Sequence, residues 1–418
     1  MRRWRNWKRL TSETVVKWTG SLFALLACLA MFPASAQEVR VDSIQLQEAR
    51  AEALKTKGYR RAYEVEFDLS GLPDYHPKEE LSGVIRQWGS NYLADSPLEG
   101  YLEAEFQKYH PNVRFENNLS STFIGIAGLY TKQADIAAMG RRASWEELQA
   151  YQRIFGTAPV EIEMATGSYD VSGWTYALVP FVHESNPIDK LTLQLLDGIF
   201  GAQRTGGWDG NNWDPSSARG PEANIRTWGQ LGLTGEWADK PINVHAYNLS
   251  FHFPRDFADK VFGGGYKWNE TLKEYSNQTQ AGPIGSFGRL LTAGEQIMDA
   301  LGTDEYGITY TSMLYKDKPG VKTVPLARDD RGPYVLPTLE SVQARDYPLS
   351  REVYYYTNRA VGGTVDPLVA EYIRFVLSRQ GQALIQKDGK YLPLTQDVAD
   401  RQIRKLEAIG TAENGLDR

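Results

Sequence analysis

Two short stretches of this chain combine residue types that can hold an anion without a net positive charge. Gly89-Ser90 follows a run that reads as a strand, and Ser120-Ser121-Thr122 follows a second such run and opens a helix. At a helix start the first backbone N–H groups lack an intrahelical partner and carry a partial positive charge, so an oxyanion is favoured there. Serine and threonine hydroxyls add neutral donors. Each stretch alone reads first as an ordinary helix cap; two of them at corresponding strand ends point to a shared oxyanion site.

Covalent and metal chemistry find little support. His76, His110, His183, His245 and His252 include no i, i+4 pair with an intervening glutamate, the pattern a zinc peptidase helix needs. There is no Gly-x-Ser-x-Gly elbow, no Walker phosphate loop and no Gly-x-Gly-x-x-Gly after a strand. The stretch 209–214, DGNNWD, has oxygen ligands at alternating positions like part of a calcium loop, but it lacks the later bidentate glutamate and reads as a polar surface loop. No catalytic residue, metal or cofactor is assigned.

The elements that must position the two loops alternate. GVIRQWGS reads as a strand, Leu98 to Tyr109 as a helix, NVRFENN as a strand, Thr122 to Lys132 as a helix and DIAAMG as a strand. A helix at 144–154 and the strands VEIEMA and WTYALVPFV follow. This βαβα order predicts a largely parallel sheet covered on both faces, with ligands at the carboxyl ends of its strands. Residues 187–320 read as a second α/β lobe, with a helix at 191–200, a Gly/Asn/Asp/Trp-rich loop at 203–223, the strand PINVHAY, helices after Pro254 and at 286–301, and the strand GITYT. REVYYYTN then returns as a strand, and one long helical stretch runs to Gly389.

With 418 residues, 42% of them hydrophobic, the chain exceeds what one core sustains and predicts two compact bodies. A net charge of −6 removes the general electrostatic case for nucleic-acid binding. Residues 1–36 carry an arginine-rich start, the apolar run SLFALLACLAMF and Ala34-Ser35-Ala36, the three regions of a cleavable secretory signal. Its loss leaves 40 basic against 51 acidic residues. It also removes Cys28, the sole cysteine, so a periplasmic mature chain without disulfides is expected. The rival reading is a lipoprotein anchored through Cys28. An amphipathic helix at 41–57 and an extended linker-like piece precede the repeating fold.

The segments IRQWGSNYLADSPLEGYLEAEFQKYHPNVRFE, LSSTFIGIAGLYTKQADIAAMGRRAS and LVPFVHESNPIDKLTLQLLDGIFG, with YGITYTSMLY and YPLSREVYYYTN, resemble the periplasmic phosphate-binding proteins of ABC importers. The resemblance covers roughly residues 83–395 and implies two mainly parallel α/β lobes joined by a two-strand hinge (periplasmic binding protein-like II). The expected division is signal 1–36, extension 37–82, lobe 1 over 83–182, lobe 2 over 183–345 and a return to lobe 1 with C-terminal helices over 346–418. By position, the resemblance assigns Ser90, Ser121, Thr122 and Asp135 to the ligand, beside Gly89 and Ser120. Asp135 would accept from a protonated phosphate oxygen and repel sulfate. Arg141 or Arg142 would supply charge. In the second lobe HAYNLSFHFPRDF replaces the family's arginine and Ser-Gly-Thr, with His245 in the arginine's approximate place, Ser250 as the nearest hydroxyl and Arg255 nearby. The first-lobe serine loop lacks glycines, so Phe123 would crowd an oxyanion that the family binds by close backbone approach. The resemblance implies a monomeric, non-enzymatic carrier of a small oxyanion, phosphate first, that delivers it to an inner-membrane ABC permease. The alternatives are a secreted two-lobe binding or sensory protein that has lost phosphate binding and, last, a phosphoester hydrolase.

Overall fold

The computed structural model describes residues 63–171, 174–280 and 289–410. The chain divides into Met1–Leu46 and Gln47–Arg418, and every described residue belongs to the second unit. The expected signal with Cys28 and the helix at 41–57 lie outside the described residues.

The first sheet is built as the alternation predicts: β1 (Ser82–Gly89), helix α1 (Leu98–Tyr109), β2 (Asn112–Asn118), β3 (Ile136–Met139), α2 (Trp145–Phe155) and β4 (Val160–Thr166). All four residues of β3 are buried, which is why its run is apolar without alternation. A full capping box of Ser144 and Glu147 starts α2, and Gly156 ends it in the left-handed region. The helix expected over Thr122 to Lys132 is instead one 3-10 turn at Thr122–Ile124 followed by a short α-helix, Gly125–Tyr130.

WTYALVPFV is only partly a strand: β5 is Val179–His183. Thr175 takes φ +54, which ends any extended run there. The second lobe continues with α3 (Leu193–Phe200), β6 (Asn243–Tyr247), α4 (His252–Val261), β7 (Lys273–Tyr275), α5 (Ala293–Leu301), β8 (Gly307–Thr311) and β9 (Val321–Thr323). Helix α4 starts at His252, ahead of Pro254, because a first-turn proline removes only an N–H that has no helical partner. Within the 203–223 loop, Gly207–Asp209 and Asn212–Asp214 form a β-hairpin, so the calcium-like stretch is a hairpin turn. The chain returns through β10 (Glu352–Thr357). The long terminal stretch is broken at Ser378, which caps α7 (Arg379–Asp388) after α6 (Pro367–Leu377); α8 (Gln396–Glu407) follows.

The strand orders are β2-β1-β3-β10-β4 and β7-β6-β8-β5-β9. In each sheet four strands run in one direction and one, β10 or β5, runs against them and adjoins a crossing segment. The two crossings pair with each other, Gly167 N–H to Arg351 O at 2.8 Å and Leu178 N–H to Leu349 O at 3.0 Å. Two α/β lobes are thus joined by a two-strand hinge. Each lobe has its own core, one around Ile85, Phe106, Tyr355 and Tyr372, the other around Val182, Phe200, Val244 and Tyr310.

Candidate functional site

Register fixes which residues share an edge. The carboxyl ends of β1, β2 and β3 are Gly89, Asn118 and Met139. Antiparallel β10 places Tyr354 opposite Met139, and Glu352 lies opposite Thr166 of β4, so Arg351 and Glu352 belong to the same edge. In the second sheet the corresponding edge holds Tyr247, Thr311 and Val179.

At the first edge three hydroxyls gather around Gly140. A Cβ there would lie 3.3 Å from Thr175 Oγ1, 3.6 Å from Ser90 Oγ and 3.7 Å from Thr122 Oγ1. Thr175 Oγ1 donates to Gly140 O at 2.8 Å, and Thr122 Oγ1 accepts from Gly140 N–H at 3.4 Å. Ser90 is 1% exposed, and its Oγ has no hydrogen-bond partner among the described residues. Gly89 makes this approach possible: at φ +149, a Cβ would stand 1.9 Å from Ala138 O, the atom that accepts from Ser90 N–H at 2.7 Å. Thr175, β-branched with a positive φ, is strained, and such strain concentrates where function requires a fixed geometry.

The other expected residues scatter. Ser121 accepts from Phe123 N–H at 3.3 Å as a turn cap, and exposed Ser120 donates to Asn118 Oδ1 at 3.1 Å. Phe123 is 66% exposed, with the Arg141 guanidinium 5.0 Å from its ring centre, so the expected crowding is not found. Asp135 precedes β3, at the end of the strand opposite Gly140. It is held by Arg86 at 2.7 and 3.0 Å, a pairing between β1 and β3 that sequence proximity could not reveal. Arg141 is committed to Glu147 through two bonds of 2.7 and 2.8 Å, and Arg142 to Glu161 at 2.8 and 3.1 Å.

His245 lies two residues back from the end of β6, 2% exposed, with Nδ1 on Tyr275 Oη at 2.8 Å and Nε2 on Asp304 Oδ2 at 2.9 Å. Burial lowers its pKa despite Asp304, so it does not replace a permanent arginine charge. Ser250 is exposed and donates to Asn248 Oδ1 at 2.5 Å. What faces the hinge from the second lobe is aromatic. Tyr247 Oη meets Tyr176 Oη at 2.9 Å, and Phe253 packs on Tyr176 and Tyr247 with centroids 4.9 and 4.6 Å apart.

Further contacts tie the lobes together: Arg255 to Glu146 at 3.0 Å, Lys260 to Glu352 at 3.0 Å, and Trp208 of the hairpin stacked on Trp145 at 4.6 Å and 8°. A cavity of about 270 Å³ lies along this seam, lined by charges that include Arg142, Asp256, Lys260, Arg328, Arg351 and Glu352. Among the described residues, no group of three or more His, Cys, Asp or Glu is placed to hold a metal. Thr175 spends its proton on Gly140 O, and Ser90 with Thr122 offers neutral hydroxyl donors, suited to reversible retention of an anion. Sequence reasoning missed Thr175, hidden in an apolar run, and Arg351, whose only signal is a charge directly before an aromatic strand.

A model of the PBP superfamily domain matches residues 93–380. The phosphate-binding protein PstS of Pseudomonas aeruginosa is 30% identical over 335 residues, covering 80% of this chain and 90% of that protein. Protein SphX of Synechococcus elongatus is 23% identical over 303 residues, 71% of this chain and 74% of that protein. Among solved structures, an ABC-type phosphate transport receptor from Vibrio cholerae aligns over 74% of this chain and 100% of its own, at 19% identity and a TM-score of 0.45.

Proposed function

We propose that this chain, which belongs to the PBP superfamily and within it to the phosphate-binding proteins, captures phosphate between its lobes and delivers it to an ABC permease. Membership makes it a solute receptor with a small-molecule ligand and an ABC transport partner, not a catalyst. The single observation that carries the oxyanion reading is the hydroxyl cluster at Gly140, with Ser90 Oγ buried and unpartnered. An unpaired buried hydroxyl costs about 1–3 kcal/mol, and a ligand oxygen that accepts from it would remove that cost. Phosphate is favoured over other oxyanions because the P. aeruginosa relative, similar along most of both chains, is named a phosphate-binding protein.

The proposal includes export to the periplasm through cleavage after Ala36, and division into lobes at 83–182, 183–345 and 346–418. A second reading, a two-lobe receptor that has lost phosphate, is favoured by one finding: neither His245 nor Ser250 presents a free group at the cluster. Calorimetric titration of the ligand-stripped protein separates the two. Saturable binding of inorganic phosphate that sulfate competes for only weakly supports the carrier; heat for neither anion supports the second reading.

A further inference from the structure

The second lobe brings no arginine to the hydroxyl cluster, since Arg255 is spent on Glu146 at 3.0 Å. The hinge brings one. Arg351 directly precedes β10, and its register with β3 sets it at the Gly140 edge. The residue is 1% exposed. Its Nε donates to Asp256 Oδ2 at 2.6 Å and its Nη2 pairs with the same carboxylate, on α4 of the second lobe. Its Nη1 donates to Tyr176 O at 3.3 Å, one residue from Thr175, and its guanidinium lies 5.2 Å from the Phe253 ring centre. Arg351 therefore touches the second lobe and the hinge at Tyr176, the residue after Thr175.

A buried guanidinium needs a counter-charge, and here Asp256 provides it. Only Nε and one Nη1 N–H donate hydrogen bonds, to Asp256 and the Tyr176 carbonyl; Nη2, close to the Asp256 carboxylate, is buried without a hydrogen-bond partner, so the guanidinium keeps N–H groups for an anion. We propose that Arg351 is the cation that meets the ligand oxyanion at the lobe junction, and that Asp256 competes with the ligand for it and so sets the affinity. This rests on the oxyanion-receptor reading above. Asp256 also feels Arg141 and Lys260, and His252 at the start of α4 is kept neutral by its burial and by the charges of Arg351 and Arg141. The anion thus meets a junction in which Asp256 already offsets positive charge.

The test is calorimetric titration with inorganic phosphate and with inorganic sulfate at fixed ionic strength. It compares the parent protein, Asp256→Asn, Arg351→Lys and the double variant Asp256→Asn/Arg351→Gln, with melting temperatures measured beside them. Removing the competitor should tighten phosphate about tenfold, a gain that a purely structural ion pair would not produce, and the gain should vanish in the double variant. Arg351→Lys should weaken binding about tenfold at an unchanged melting temperature, because an ammonium lacks the planar fork. If the parent binds but Asp256→Asn binds equally or more weakly, the proposal is overturned while the receptor reading stands. If the parent binds neither anion but Asp256→Asn binds one, the proposal stands and the phosphate reading fails. Binding by no variant overturns both. Should Asp256→Asn fail to fold, Arg351→Lys decides: a tenfold loss supports the role of Arg351, and unchanged affinity overturns it.

Discussion

Burying the Ser90 hydroxyl without a partner costs the folded protein stability, so its removal separates a ligand role from a structural one. Ser90→Ala should leave the melting temperature unchanged or slightly raised, yet weaken phosphate binding by roughly 1–3 kcal/mol. Loss of stability with unchanged affinity would make Ser90 a packing residue. Asp135→Asn should do the reverse. Its partner is the part-exposed Arg86, so a small fall in melting temperature is expected, with no change in the preference for phosphate over sulfate. Gly89, Ser90 and Thr122 were legible because a strand, a small polar loop and a helix start are local signals. Thr175 and Arg351 were not, because their places depend on hinge pairings between segments more than 170 residues apart, such as the Arg351–Tyr176 bond. The same holds for Asp135, whose partner Arg86 is 49 residues away.

Helix α1 carries a charge that its surroundings disfavour. Glu99, in its first turn, is fully buried against Gln87 Nε2 at 2.5 Å and Tyr372 Oη at 2.8 Å, and burial raises its pKa from the usual 4.5 to about 7. The folded state therefore keeps a proton that the unfolded chain releases near the usual value. Stability from this group is full at low pH, is lost as pH rises toward about 7, and stays lost above it. Glu99→Gln should remove that decline, seen as urea midpoints that fall less than the parent's between about pH 5 and about pH 8. Equal falls in both proteins would place the titration elsewhere. Periodicity found the strands of the first lobe and the central strands of the second, but not the edge strands β7 and β9. It failed where capping or backbone strain decides, at Ser378 within an unbroken helical pattern and at Thr175 within an apolar run.

The two lobes meet through contacts beyond the hinge, and the hairpin at Gly207–Asp214 supplies the most separable of them. Trp208 stacks on Trp145, the first residue of α2, whose Glu147 also holds Arg141. This links the closure of the lobes to the loop after β3. Trp208→Ala should therefore favour the open arrangement, with a larger radius of gyration by small-angle scattering without ligand and phosphate affinity a few-fold weaker. No change in either would make the hairpin an ornament of the second lobe. The sequence composition of that loop gave its polarity but not its reach, since the partner ring lies 63 residues earlier in the chain. The central claim concerns one place, the space beside Gly140 between the lobes. A crystal structure of the protein grown with inorganic phosphate tests it most directly: the anion is predicted within hydrogen-bonding distance of the Ser90 and Thr122 hydroxyls and the Arg351 guanidinium. Phosphate held in the charged cavity that Arg351 shares with Arg328 and Lys260 but out of reach of the Ser90 and Thr122 hydroxyls, or none bound between the lobes, would contradict the account.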